Sequence, residues 1–285
     1  MRRIPFSVAL RYAVMGVTTR SGYLIEGPAG WGECSPLPSW NEAEREAAER
    51  SALEAATLPF PAVVRDRVAV NAMIPRVTPD VAAALALSSG CGTVKVKVGD
   101  EHSVDRVAAV RSACGPGVKI RLDANGAWDV DTALQQLARL AAYDIELVED
   151  PVASLEELAA IRGRAGMPVA AESCIRTTAD AQRLRQLGAA DAIAIKPQRI
   201  GGLREALRAA EASGVPAIAS SALETSIGLT VVVALAASLP SAPFAHGAGT
   251  GLLLESDVVD DPLIPANGWL VPRRLAVNPQ LIADA

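Results

Sequence analysis

The sequence predicts an α/β fold: a (β/α)7β TIM-like barrel under a small α+β capping domain. Three observations carry this prediction. From about residue 68, short β-branched runs alternate with longer Ala/Leu/Arg stretches of helical period. Charged residues recur near the ends of those runs, where a parallel barrel gathers its functional side chains. The first 60 residues lack the alternation and read as a hairpin followed by a helix.

In chain order the cap comes first. "GYLIEGPAGWGECSPLP" has the Gly/Pro turns of a β-hairpin, and "SWNEAEREAAERSALEAA" reads as a capped, solvent-facing helix. Eight barrel strands follow: "VAVNAMI", "TVKVKV", "KIRLDAN", "IELVED", "PVAAES", "AIAIKPQ", "PAIASSA" and "FAHGAG". Helices are expected between them near 79–89, 103–113, 130–142, 154–164, 177–188, 201–213 and 226–238. Thr78 with Pro79, and Ser154 with Glu157 three residues later, are helix-start signals. A doubly wound open sheet has the same alternation, but no GxGxxG or P-loop follows the first strand, and the even repeat favours the barrel. The expected division is a cap over 1–65, a barrel over 66–264 and a tail over 265–285 that returns to the cap.

With half of its 285 residues apolar, the chain has ample material for a packed core. A net charge of −5 argues against a nucleic-acid surface, although a local basic pocket can still take an anionic small molecule. "MRRIPFSVALRYAVMG" begins like an export signal, but Arg11 interrupts its apolar run, so export is not expected. "SIGLTVVVALAASLP" falls short of the roughly 20 residues that span a bilayer and reads as a packed helix, so no membrane partner is expected. Cys34, Cys91, Cys114 and Cys174 form no CxxC pair, which suits reduced thiols in a cytoplasmic protein.

The stretch "VKVKVGD" places Lys95 and Lys97 on one side of a strand, because strand side chains alternate with a period of two. The strand ends that follow carry Asp123, Glu149, Glu172 and Lys196, at intervals of 26, 26, 23 and 24 residues counted from Lys97. One functional residue per βα unit produces such spacing. Three converging carboxylates repel one another, and the usual resolution is a shared cation or raised pKa values. Oxygen ligands without histidine select a hard ion, most naturally Mg²⁺. Any one carboxylate alone reads equally as a salt bridge or a helix cap. Asp150 faces away from the barrel interior by strand parity. A lysine beside a divalent cation and a second ammonium has its neutral form favoured, which suits a general base. The competing reading is that Lys95 or Lys196 pairs with an acid or snorkels out of the mouth.

"VKVKV", "RLDAN", "LVEDP", "PVAAES" and "AIKPQRIGG", in this order, resemble the enolase superfamily, in particular its muconate-lactonising subgroup. The resemblance spans nearly the whole chain. It implies a (β/α)7β barrel capped by the N-terminal region and C-terminal tail, with Asp123, Glu149 and Glu172 as Mg²⁺ ligands (Mn²⁺ as a possible substitute) and Lys97 and Lys196 as the acid/base pair. Relatives usually read Asp-Glu-Ser after the fifth strand, where this chain reads "AAESC". An ungapped alignment puts Glu172 at the ligand position, whereas a gapped one puts Ala171 there and loses the ligand.

The subgroup includes o-succinylbenzoate synthases, cycloisomerases, dipeptide epimerases and N-acylamino acid racemases, so metal and lysines alone do not choose a small-molecule carboxylate substrate. The short chain, the reduced cap, "RLDANGAW" and "SSALETSIGL" look most like the first of these. That resemblance implies syn-dehydration of 2-succinyl-6-hydroxy-2,4-cyclohexadiene-1-carboxylate, a lyase reaction of menaquinone biosynthesis. A catalytically silent, ligand-binding barrel is the rival from another class. Candidate substrate contacts are Lys95, Arg121, Asn125, Ser220, Ser221, Gly247, Gly249 and Thr250, with Glu224 beside the seventh strand. Arg121 reads equally as an ion pair deeper in the barrel. The segment "ALRYAVMGVTTR" is expected to close over the site, with Arg11 or Arg20 near an anionic tail.

Overall fold

A computed structural model describes residues 1–283, so the last two residues of the tail read as 265–285 lie outside the described residues. The cap opens with β1 (Arg2–Val14), β2 (Val17–Gly27) and β3 (Gly30–Cys34), an antiparallel sheet in the order β1-β2-β3. Helix α1 (Glu42–Thr57) begins at a capping box in which Asn41 and Glu44 exchange hydrogen bonds. The helix is not solvent-facing all round, as its charged sequence suggested: Ala47, Ala48, Ala52, Ala55 and Ala56 are buried. A Cβ at Gly32 would stand 1.9 Å from the Ala52 carbonyl oxygen, so glycine and alanine together let helix and sheet touch closely.

The predicted first barrel strand splits in two. Its start, β4 (Val68–Ala69), pairs antiparallel with a strand of the C-terminal tail (Trp269–Leu270), and only β5 (Ala72–Ile74) joins the barrel sheet. The repeat then runs α2 (Pro79–Ser88), β6 (Thr93–Lys97), α3 (Ser103–Cys114), β7 (Lys119–Asp123), α4 (Val130–Leu140), β8 (Ile145–Glu149), α5 (Leu155–Ile161), β9 (Val169–Ala171) and α6 (Thr178–Leu187). It continues through β10 (Ala192–Ile195), the single turn α7 (Pro197–Ile200), α8 (Leu203–Ser213), β11 (Ala217–Ala219) and α9 (Ser226–Ser238). The tail carries β12 (Trp269–Leu270) and α10 (Pro279–Ala283). Seven strands form one parallel sheet in the order β11-β10-β9-β8-β7-β6-β5. The expected helix at 201–213 starts two residues later, at Leu203, because Gly201 and Gly202, both at positive φ, separate it from the α7 turn. Ser154 and Glu157 form the expected capping box of α5.

The eighth predicted strand is reduced to two bridging residues, yet it closes the circle. His246 exchanges backbone hydrogen bonds with Ala69 and Asn71, at 2.8 and 2.9 Å, and Gly247 with Ala219 and Ser221, at 2.8 and 3.0 Å. Glycines allow this close approach: a Cβ at Gly249 would meet the Asn71 carbonyl oxygen at 2.4 Å. Alternation divides the strands into two faces. Val94, Val96, Val98, Ile120, Leu122 and Val148 pack outward under the helices, and Leu147, Ala170, Ala192, Ala194, Ile218 and Phe244 fill the interior. Helix α9 is buried from Ser226 to Ala237, as its apolar run predicts. Among the described residues no helix is long and apolar enough to cross a membrane. In the tail, Arg274 donates to the carbonyls of Ala55 and Leu58 and stacks over Phe60, while Ile282 packs against a cluster that includes Phe6 and Val8.

His246 accepts a hydrogen bond at Nδ1 from the Ala219 amide, so its proton sits on Nε2. Burial, aided by the nearby Arg121 charge, lowers its pKa from the usual 6.5 to about 3. Because the folded value lies below the unfolded one, the unfolded chain takes the proton first. This contribution to stability is complete above about pH 6.5 and is lost as the pH falls toward 3. In the folded protein the ring resonances of His246 are therefore expected to hold still in an NMR titration from pH 8 down to about 5. A titration with a midpoint near 6.5 would contradict this burial.

Candidate active site

Strand β6 presents its two lysines to the inside of the barrel because its valines are claimed by the helix layer. Lys95 Nζ lies 2.7 Å from Glu149 Oε1 and 2.9 Å from Asp123 Oδ2, bridging the ends of β7 and β8. Lys97 Nζ lies 2.7 Å from both Asp123 Oδ2 and Asn125 Oδ1. Asp123 and Glu149 are direct neighbours in the β7–β8 register. Glu149 pairs with Ala170, so Glu172, two residues on, returns to the same face of the barrel. Both Glu172 oxygens are held, one by Lys196 Nζ and one by Arg199 Nη1 at 3.2 Å, and Arg199 Nε reaches Glu44 of the cap at 2.8 Å.

These contacts separate the titration of the groups. Burial works against the Lys95 ammonium, but Asp123 and Glu149 together outweigh it and raise its pKa. Burial lowers Lys97; Asp123 opposes that shift, and the ammonium groups of Lys95 and Lys196 reinforce it. Burial also opposes ionisation of Asp123 and Glu172, yet Lys95 and Lys97 hold the first well below its usual range, and Lys196 and Arg199 hold the second below it. Glu149 moves up: burial raises it, Lys95 resists, and the charges of Asp123 and Glu172 add to the rise.

The donor set suits a hard cation in kind, being three buried carboxylates on three successive strand ends whose charges act on one another. Among the described residues, however, no three acidic, histidine or cysteine side chains are gathered closely enough to hold an ion as they stand. Lys95 stands between Asp123 and Glu149, while Lys196 and Arg199 hold Glu172, so these ammonium and guanidinium groups supply the positive charge.

A partly enclosed cleft lies over this cluster. Lys95, Lys97, Asp123, Lys196, Ser220, Ser221, Gly247 and Thr250 line it, as do Val14, Met15, Leu37, Asn71, Met73, Ala222 and Leu223. Val14 and Met15 belong to the cap segment expected to close over the site. Not every candidate reaches the cleft. Arg121 points deeper: its Nη1 donates to the Ala245 carbonyl at 2.6 Å, its Nε pairs with Glu146, and it lies over the ring of Phe244. Asn125 reaches the site through Lys97, and Gly249 packs against the Asn71 backbone. Arg11 is exposed, Arg20 is buried away from the cleft, and Glu224 accepts from the Ala222 amide at 2.6 Å. Asn71 and Met73 went unread, although a lone asparagine in an apolar strand, two residues from a methionine, marks an inward face. Arg199 also went unread, three residues beyond Lys196 on the α7 turn.

Asp150 faces away from the charge cluster and still serves it. Its backbone takes φ 45°, and its two oxygens accept from the amides of Glu172 and Ser173, each at 2.8 Å. Burial, followed by the charges of Glu172 and Glu149, pushes its pKa up to about 7. Asp150→Asn replaces one of the two acceptors with a donor and is expected to cost about 1–3 kcal/mol in urea unfolding at pH 8. Unchanged stability would remove Asp150 from this role.

Known proteins resemble this chain along nearly its whole length. The profile for enolase C-terminal domain-like proteins matches residues 79–275, and that for enolase N-terminal domain-like proteins matches residues 5–56. The chain is 47% identical over 284 residues to the o-succinylbenzoate synthase of Thermobifida fusca, covering 98% of this chain and 90% of that protein. It is 38% identical to the o-succinylbenzoate synthase of Mycolicibacterium smegmatis, covering 97% and 87%. Among solved structures, muconate lactonizing enzyme from Pseudomonas fluorescens, complexed with muconolactone, superposes with a TM-score of 0.89 at 21% identity, covering 99% and 97%. A dipeptide epimerase from Enterococcus faecalis, complexed with Mg and L-Leu-L-Tyr, gives 0.84 at 24% identity, covering 97% of each chain. The two structural likenesses establish the fold.

Proposed function

The chain belongs to the o-succinylbenzoate synthase family of the enolase superfamily, a family of lyases, and we propose that it dehydrates 2-succinyl-6-hydroxy-2,4-cyclohexadiene-1-carboxylate to 2-succinylbenzoate for menaquinone biosynthesis. The observation that carries the reading is that Lys97, at the end of β6, and Lys196, the residue after β10, line one cleft together with Asp123. Released from their ion pairs with Lys95, Lys196 and Arg199, Asp123, Glu149 and Glu172 would hold Mg²⁺, with Mn²⁺ as a substitute. When bound, the ion stabilises the negative charge that develops on the substrate carboxylate.

Lys97 takes the proton from the ring carbon that bears the carboxylate. Its lowered pKa leaves more of the neutral amine that this step needs. To act, Lys97 exchanges its contacts with Asp123 and Asn125 for the substrate. The same Nζ returns the proton to the departing 6-hydroxyl on the same face, so water leaves, no net proton is consumed and the ring becomes aromatic. Lys196 supplies positive charge from the other side of the carboxylate strands. Lys95, held by two carboxylates, stays protonated and keeps their charges apart. The free cysteines Cys34, Cys91, Cys114 and Cys174 fit a cytoplasmic setting.

Two lysines in one cleft also suit racemisation or epimerisation, in which each exchanges a proton with the substrate. A Mg²⁺-dependent absorbance assay of the diene acid separates the readings. The wild-type protein is expected to turn over and to stop when EDTA removes the metal. Lys97→Ala should lose about 10²–10⁴-fold in kcat. An inactive wild type, or a fully active Lys97→Ala, would sink the assignment. Glu172→Gln should sharply raise the Mg²⁺ concentration needed for half-maximal rate, and an unchanged requirement would take Glu172 out of the ligand set.

A further inference from the structure

We propose that Arg20, a cap residue outside the cleft, is a positioning residue that sets the pocket wall formed by Ser220, Ser221, Ala222 and Leu223. The inference rests on the cleft being the dehydration site. Leu223 has φ 67°, a left-handed conformation that a branched side chain adopts only when its surroundings impose it. The backbone on both sides of it is held by side chains. Leu223 N–H donates to Ser221 Oγ at 2.8 Å, and that hydroxyl also bonds Thr250 Oγ1 at 2.7 Å. Ala222 N–H donates to Glu224 at 2.6 Å. The Leu223 carbonyl accepts from Arg20 Nε at 3.1 Å, and Arg20 Nη2 donates to the Ser35 carbonyl.

The guanidinium therefore ties the pocket wall to the cap through two fixed directions of one planar group, which an ammonium cannot reproduce. Arg20 is 1% exposed, so water cannot replace it. The tie extends further. Ser35 N–H donates to Gln198 Oε1 at 2.9 Å, two residues beyond Lys196, which joins the wall to the turn that follows that lysine. Glu33, also of the cap, accepts from the amides of Thr225 and Gly228 at 3.2 and 2.9 Å and so caps the start of α9 immediately after the wall. Cap strands β2 and β3 thus reach across to fix a segment of the barrel that lines the cleft.

Arg20→Lys keeps the charge and loses the fork. Loss of one charge-assisted hydrogen bond is expected to raise KM about tenfold and leave kcat within about twofold, because the wall binds substrate and transition state alike. Hydrogen exchange supplies a readout independent of turnover: peptides covering 220–228 should exchange faster in Arg20→Lys, and peptides covering 119–125 should not. An unchanged KM with unchanged exchange at 220–228 would overturn the proposal, as would exchange that rises equally across the chain. If the wild type did not dehydrate the diene acid, the function would fall, and the exchange comparison would still decide the tether.

Discussion

The mouth of the barrel depends on balancing carboxylates that the fold has already removed from water. Asp123, Glu149 and Glu172 are each at most 3% exposed, and an unpaired charge at such a depth costs several kcal/mol. Lys95 bridges two of them, and Lys196 with Arg199 holds the third. The same requirement explains a strand of valines and lysines. The helices outside β6 need Val94 and Val96, the carboxylates inside need ammonium groups, and a period of two serves both from one short segment.

Balance alone leaves the βα loops free to drift, and the restraints come from side chains outside the charge cluster. Asp150 pins the backbone from which Glu172 projects, and its own carbonyl accepts from Gly126 at 2.8 Å, so one residue links three consecutive strand ends. Arg199 carries the linkage from Glu172 to Glu44 on cap helix α1. The cap is therefore joined to the barrel by ion pairs and by hydrogen bonds to backbone groups as well as by apolar packing. These contacts are directional, and they fix how far a loop stands from the cleft more closely than packing can.

How much of this was legible follows from where the determinants lie. Strand and helix order could be read from periodicity because each βα unit repeats locally, and the five charged strand-end residues could be read because parity fixes their face. Arg121 obeys the same parity and still points away from the cleft, because a long side chain can turn toward a carbonyl below, here that of Ala245, and strand parity gives no depth. The eighth strand failed as a strand because "FAHGAG" closes the barrel through two residues and glycine contacts, a long-range pairing without local propensity. Helix α1 looked solvated because its stripe is alanine, which buries closely but scores weakly as apolar. Residues that act through another segment's backbone, such as Arg20 and Asp150, have no sequence period at all.

The two lysines of β6 differ only by one pleat, and that pleat sets their surroundings. Lys95 lies level with Arg121 in the register, so its amine extends up into the space between Asp123 and Glu149 and satisfies two carboxylates. Lys97 lies level with Asp123, pairs with that one carboxylate and feels the ammonium groups of both Lys95 and Lys196. Protonation is therefore favoured on the lower lysine and disfavoured on the upper one. The upper lysine is also the one whose remaining contact, with Asn125, is neutral. A neutral partner is given up more readily than a second charged one, so the amine with the lowered proton affinity is also the less restrained of the two.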